Sequence, residues 1–310
     1  MENIEQIIQR NRDLLLNRDP EANKGTYGKL LLIAGSRGMA GAACLASRAA
    51  FRAGIGMVKV FGPECNRMIL QVSLPEAMYA VSDLGEGTVN EKELADSIRW
   101  ADYVIAGPGL SRSEEAKALI EALYSGTILP LLQEKKLLIL DADALNLIAE
   151  SGRDPGALCG NTVITPHVGE MSRLCGKGIR DIKADPEGTA ADYSGQYGVT
   201  VVLKDAATVI ALPPADRQQS GGTGEAAAET IRLQSGCGAM AKAGSGDVLC
   251  GFLAGTAAML KGNTRDAVPA GVWLHGCAGC IAAEKKGCHS ILAGDIADAA
   301  GEAIKHCANL

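Results

Sequence analysis

With 310 residues, 36 acidic against 30 basic side chains and a formal net charge of -6, the chain has the size of one large or two small α/β domains. Hydrophobic residues make up 47% of it, enough to bury a substantial core. No lysine- or arginine-rich run offers the electrostatic footprint of a nucleic-acid or anionic-membrane binder. No apolar run reaches membrane-spanning length, and the N-terminal MENIEQIIQRNRDLLLNRDP mixes charges along an amphipathic pattern instead of building a signal-peptide core. The expected setting is cytoplasmic and the expected partner a small molecule, with no nucleic acid and no membrane.

An N-terminal helix is expected over about residues 1–18. It is followed by an apolar strand in GKLLLIAGS, a small-residue helix in MAGAACLASRAAFRAGIG and a strand in MVKVFG. The alternation continues through ADYVIAGPGLS, EEAKALIEALYS, KLLILDADALNLIAES, NTVITPHVGEMSRLCG, VTVVLKDAATVIAL and VLCGFLAGTAAMLKG. Short continuous apolar strands separated by helices predict an α/β fold with a central, mostly parallel sheet covered by helices on both faces. No composition shift marks a boundary, so a single domain over 1–310 is expected. The irregular stretch Pro213 to Gly236, rich in Gly, Gln and Ser, reads as a flexible insertion.

The strands stop in loops of functional composition: Gly35-Ser36, Gly107-Pro108-Gly109, Asp141-Ala142-Asp143, Thr165-Pro166-His167 and Lys204-Asp205. In an open α/β sheet ligands bind outside the carboxyl ends of the strands, so these loops are expected to meet at one crevice. The glycines at 35, 38 and 41 have GxxGxxG spacing, not the GxGxxG of a dinucleotide fingerprint, and only Glu64 follows as a ribose acid. Backbone contact to phosphate or sugar and tight helix–strand packing explain them equally well.

Ten cysteines spread from Cys44 to Cys307 through apolar stretches read as reduced core thiols. His275, Cys277, Cys280, Cys288 and His289 imitate metal-ligand spacing. However, VPAGVWLHGCAGCIAAEKKG reads as one small-residue helix, whereas a zinc knuckle needs turn residues between its cysteines. Packing is the expectation there.

Three stretches carry chemistry. ITPHVGE places His167 and Glu170 just past a strand, where substrate contact is expected more than proton transfer. Lys204 and Thr208 put a cation and a hydroxyl at the rim of a hairpin-like turn, although a snorkelling surface lysine fits the local sequence as well. AKAGSGDVLCG places Gly244, Ser245 and Gly246 as a concave run of amide donors at a helix N-terminus, suited to charge building on a transferring phosphoryl group. Asp247 then stands where it can take a proton from an attacking hydroxyl, or merely cap the helix.

GSGD opening an apolar helix downstream of a parallel α/β array resembles the ribokinase-like superfamily. Within it, NKGTYGKLLLIAGS, GMAGAACLASRAAFRAGIG, GPGL, DADALN, TPHVGE, LKDAATVI and GAMAKAGSGDVLCG resemble the ADP-dependent NAD(P)H-hydrate dehydratases, from about Asp19 to HSILAGDI. The resemblance implies metabolite repair: the S form of NADHX or NADPHX is dehydrated to NADH or NADPH while ADP becomes AMP and phosphate, with Mg2+. It implies Asp247 as catalytic base and Ala42, Gly109, His167, Gly169, Glu170 and Asp247 as hydrate contacts. The nucleotide site it implies comprises Lys204, Asp205, Ala206, Ala207, Thr208, Gly244, Ser245 and Gly246. Glu170 is implied to help organise magnesium indirectly, and a homo-oligomer, a tetramer, is implied as the assembly. Two residues depart from the family pattern: Cys237 stands where asparagine is usual, and Asp205 where glycine is common. Only about a helix precedes the dehydratase-like region, so epimerisation is not expected of this chain. The rival readings are a small-alcohol or vitamin-precursor kinase, which would accumulate a stable phosphate ester, and a non-catalytic nucleotide sensor, which would bind without turnover.

Overall fold

The computed structural model describes residues 3–82, 88–214 and 228–310. Among the described residues nine strands form one sheet: β1 (Lys29–Ile33), β2 (Met57–Gly62), β3 (Met78–Val81), β4 (Tyr103–Ala106), β5 (Leu137–Leu140), β6 (Thr162–Ile164), β7 (Thr200–Leu203), β8 (Thr208–Leu212) and β9 (Glu229–Leu233). Their order is β3-β2-β1-β4-β5-β6-β7-β8-β9, parallel from β3 to β7 and antiparallel at β7/β8 and β8/β9. The strands are continuous apolar runs because both faces are covered. In β1, Leu30 and Leu32 enter one core while Leu31 and Ile33 enter the other, and β4 and β5 divide their side chains in the same alternating way.

One core holds the helices Ala40–Arg52, Ser245–Met259, Thr264–Lys286 and those of the C-terminus. The other holds Glu91–Trp100, Glu114–Leu123, Asp143–Ser151 and Pro186–Tyr197. The chain order reverses between β1 and β4, and the helices following these two strands lie on opposite faces. Such a switch point opens a crevice at the carboxyl ends of the strands.

The helix that carries GSGD at its start is fixed by two of its own glycines. A Cβ at Gly251 would fall 2.4 Å from the Ala46 carbonyl oxygen, and one at Gly255 would fall 2.5 Å from Ala53. Both neighbours lie in or at the end of Ala40–Arg52, so the two backbones touch and hold residues 244–247 against the sheet edge. Gly251→Ala forces these helices apart and is expected to lower stability by about 1–3 kcal/mol, read as a fall in the urea midpoint without a change in slope.

The structure departs from the sequence expectation in two places. The N-terminal segment is two short helices, Ile4–Arg10 and Arg12–Leu16, interrupted at Asn11. The Asn11 amide donates to the Ile7 carbonyl (2.9 Å) and to Asp266 (2.8 Å), which fixes it as a helix end. In the Pro213–Gly236 stretch, Glu229–Leu233 is strand β9, paired with β8 from Leu212↔Glu229 to Thr208↔Leu233. Residues 215–227 of that stretch lie outside the described residues.

Candidate active site

β5, β6 and β7 lie side by side, and their carboxyl ends bring together three residues from distant parts of the chain. Asp141 follows β5 and is 2% exposed. Its Oδ1 accepts from the Lys204 ammonium (2.7 Å) and from the Thr165 hydroxyl (2.6 Å). The Lys204 amide donates to the Pro166 carbonyl (2.8 Å), and an isolated parallel pairing of His167 with Lys204 carries the β6/β7 register three residues beyond Ile164↔Val201. Burial alone would push the Asp141 carboxyl up, but the Lys204 charge and the hydrogen bonds from Lys204 and Thr165 outweigh it and hold the group below its ordinary range. Burial disfavours the Lys204 cation, while Asp141 and Glu170 more than restore it. Lys204 is therefore a fixed positive charge on a buried anion, not a snorkelling surface lysine.

Asp247 is the third residue of the helix Ser245–Met259. Burial, reinforced by the Asp141 charge and opposed by Lys204, pushes its carboxyl up to about 6. Among the described residues its carboxylate accepts no hydrogen bond, so it is not spent on capping the helix. Gly244 before it has φ +89°, and a Cβ there would fall 2.5 Å from Leu45. The amide cradle is narrower than the sequence implied, because the Ser245 N–H already donates to the Lys242 carbonyl (3.3 Å). The amides of Gly246 and Asp247 belong to the first helical turn, which has no carbonyl partners of its own. A Cβ on Gly246 would sit 3.5 Å from the Lys204 ammonium and 3.8 Å from Asp141. The free amides, the cation and the Asp141 carboxylate thus face one space.

That space is a cavity of about 850 Å³, walled by Asp141, His167, Lys204, Asp205, Gly244 and Asp247 among others. Ala206, Thr208, Ser245, Gly246 and the departing residue Cys237 also face it. The remaining expected residues do not line it. Ala42 and Gly109 meet each other farther along the sheet, where a Cβ on Gly109 would fall 2.8 Å from that of Ala42. Ala207 lies in the turn after Lys204. Gly169 and Glu170 open the helix Val168–Cys175 beneath His167.

His167 and Glu170 form a reciprocal cap. The imidazole Nδ1 accepts from the amides of Gly169 (2.9 Å) and Glu170 (3.3 Å), and Glu170 Oε2 accepts from the His167 amide (2.8 Å). With Nδ1 accepting, the neutral ring carries its proton on Nε2, 3.4 Å from Glu170 Oε1. Burial raises the Glu170 carboxyl against the pull of Lys204. Sequence reasoning gave no role to His275, which lies on the helix Thr264–Lys286 and also lines the cavity. Burial lowers it to about 4, and its Nε2 has no partner among the described residues. Among those residues no group of three or more His, Cys, Asp or Glu side chains is disposed to hold a metal ion. Cys277 and Cys280 sit half-buried on that helix.

The strand-end loops do not share one crevice. Gly35 and Ser36 line a separate cavity of about 500 Å³ outside β1, β2 and β4. The reason is lateral order: three strand positions separate β1 from β6 in the sheet.

A cation on a buried carboxylate, free helix-terminal amides and an elevated carboxyl around one cavity are what a phosphoryl-transfer site needs. A family profile for NAD(P)H-hydrate dehydratase matches residues 30–301. The chain belongs to the NAD(P)H-hydrate dehydratase family. It is 37% identical over 274 residues to a bifunctional NAD(P)H-hydrate repair enzyme of Thermofilum pendens, covering 87% of this chain and 48% of that one. It is 34% identical over 273 residues to an ADP-dependent (S)-NAD(P)H-hydrate dehydratase of Lactococcus lactis, covering 88% of each. The chain thus spans about half the length of the bifunctional relatives. A crystal structure of the ADP/ATP-dependent NAD(P)H-hydrate dehydratase of Bacillus subtilis, co-crystallised with ATP and Mg2+, superposes with a TM-score of 0.77 at 27% identity, covering 98% of this chain and 97% of that one. The family's ribokinase-like fold is the one described above.

Proposed function

We propose that the chain dehydrates the S form of NADHX and NADPHX to NADH and NADPH, with ADP converted to AMP and phosphate. The observation that carries this reading is the grouping of Asp247, Lys204 and the free amides of Gly246 and Asp247 on one cavity. Family membership and the name of the Lactococcus relative support the substrate.

The carbinol hydroxyl of the hydrate is a poor leaving group. Asp247 takes its proton as the oxygen attacks the terminal phosphorus of ADP, and AMP departs. Lys204 and the helix-terminal amides balance the charge on the moving phosphoryl group. The ring nitrogen then drives out phosphate by breaking the carbon–oxygen bond, and loss of a proton from the adjacent ring carbon completes the reduced coenzyme. At neutral pH a carboxyl raised to about 6 is mostly ionised and still basic enough to accept the proton.

The nucleotide lies between Lys204 and the Gly244–Gly246 turn, with Asp205, Ala206, Ala207 and Thr208 around it. The hydrate reaches Asp247 past His167, Gly169, Ala42 and Gly109. Magnesium binds nucleotide phosphates with one or two carboxylates and several waters. Glu170, beneath His167 and outside the cavity lining, would act on such an ion only through intervening water. When bound, the ion supplies charge neutralisation on the phosphates.

The reading predicts that the S hydrate returns to reduced coenzyme, followed by its ultraviolet absorbance, only when both protein and ADP are present. Regeneration at the uncatalysed rate would overturn it, and accumulation of a phosphate ester would favour a small-alcohol or vitamin-precursor kinase.

A further inference from the structure

The segment that leaves β9 forms one wall of the larger cavity, with Ser235, Gly236, Cys237, Gly238 and Met240 on its lining. It packs on the helix Thr264–Lys286, where Gly276, Gly279 and Cys280 share one face at i, i+3 and i+4. The two glycines leave a groove for the segment. A Cβ on Gly276 would fall 2.5 Å from the Ser235 carbonyl oxygen, and one on Gly279 would run into Met240 Sδ. Cys280 closes the groove, and its thiol donates to the Ser235 carbonyl (3.8 Å). Its other neighbour is the Cys237 thiol, with which it is in hydrogen-bonding contact.

Both thiols are free and half-buried. Cys237 faces the cavity, so a small solute reaches it through the space that admits the nucleotide. Burial, reinforced by the contact with Cys237, pushes the Cys280 thiol up to about 11. Cys280 therefore keeps its proton, and the first attack on an oxidant falls to Cys237. A glycine stands on each side of Cys237, and small backbone rotations there bring its sulfur onto that of Cys280.

We propose that Cys237 and Cys280 are a modification site, at which hydrogen peroxide sets a reversible disulfide into the wall of the nucleotide cavity. The Cys237 thiolate attacks one peroxide oxygen and the O–O bond breaks. Hydroxide leaves, takes up the proton the thiol had released and becomes water, while Cys237 becomes a sulfenic acid. The Cys280 sulfur then attacks that of Cys237. The S–S bond forms, the S–O bond breaks, and the hydroxyl departs as a second water with the Cys280 proton. The two thiols lose two electrons and the peroxide takes them. A dithiol reductant reverses the step by two thiol–disulfide exchanges. The bond draws the Cys237 sulfur from the cavity lining onto the helix and fixes the segment Ser235 to Met240, so that this wall no longer adjusts to ADP. The effect on ADP rests on the function proposed above; the disulfide does not.

The probe is hydrogen peroxide, applied to the wild type and to a Cys65→Ser, Cys288→Ser variant that lacks the two exposed thiols. Peptide mapping without reduction is expected to show one peptide pair linked through Cys237 and Cys280, with two free thiols lost together. Saturating ADP, by covering Cys237, is expected to slow that loss. Calorimetry is expected to show ADP binding weakened about tenfold after oxidation, restored by dithiothreitol, and unchanged by oxidation when Cys280→Ser is added. Absence of the linked pair, or an equal oxidative loss of ADP affinity with Cys280→Ser, would overturn the proposal. A linked pair with unchanged ADP affinity would overturn its effect on the nucleotide. A reduced wild type that binds no ADP would count against the function proposed above, and the linked pair would still decide the site.

Discussion

Asp247→Asn is expected to lower kcat by about a hundred- to ten-thousand-fold, the loss typical of an absent general base, while the protein stays folded and gains stability. The gain follows from burial. A carboxyl raised from 3.8 to about 6 is ionised in the native state only at a cost. Between those two values the folded chain keeps a proton that the unfolded chain has released, so stability falls as pH rises through that window and the full cost is present above about 6. Asparagine removes the cost, worth on the order of 3 kcal/mol. Thermal unfolding should show the variant more stable at neutral pH, with the difference vanishing toward about pH 4. In the wild type, kcat/KM should fall below about pH 6 as the base is protonated. Near-normal turnover in the variant would reduce Asp247 to a structural residue.

Lys204→Ala is expected to weaken nucleotide binding by about ten- to a hundredfold, the worth of a charge-assisted contact, with a much smaller effect on hydrate binding. It should also destabilise the fold by about 3–5 kcal/mol, because Asp141, 2% exposed, is left as a buried charge without its cation. The two effects separate in the double variant Asp141→Asn with Lys204→Ala. Removing the stranded charge should recover most of the lost stability and none of the nucleotide affinity. Calorimetry with ADP beside urea unfolding reads both, and recovery of nucleotide affinity in the double variant would show that Lys204 acts only through folding.

The strand and helix alternation was legible because strands of a sheet covered on both faces are continuous apolar runs such as LLLI and LLIL, broken by glycine-bearing turns. β9 was not. Its sequence ETIRL buries only Ile231 and Leu233, and it sits at an antiparallel edge inside a stretch whose composition reads as a loop. GSGD was legible as a helix start, yet the loss of the Ser245 amide to Lys242 depends on a turn geometry no composition states. The joint of Asp141, Thr165 and Lys204 spans up to 63 residues of chain and arises from the lateral order of β5, β6 and β7. That same order, unreadable from local pattern, puts Gly35 and Ser36 on one cavity and Lys204 on another. His275 had only its place among imitated metal ligands, and its burial beside the GSGD helix becomes visible when the two helices are packed.

The most direct measurement of the central claim is stoichiometry. The S hydrate is incubated with the protein, ADP and magnesium, and reduced coenzyme, AMP and inorganic phosphate are quantified together through the time course. Transfer to the carbinol oxygen followed by elimination predicts the three products in equal amounts at every time, with no lasting phosphate ester. AMP formed without regenerated coenzyme, or coenzyme regenerated no faster with ADP than without it, would contradict the account.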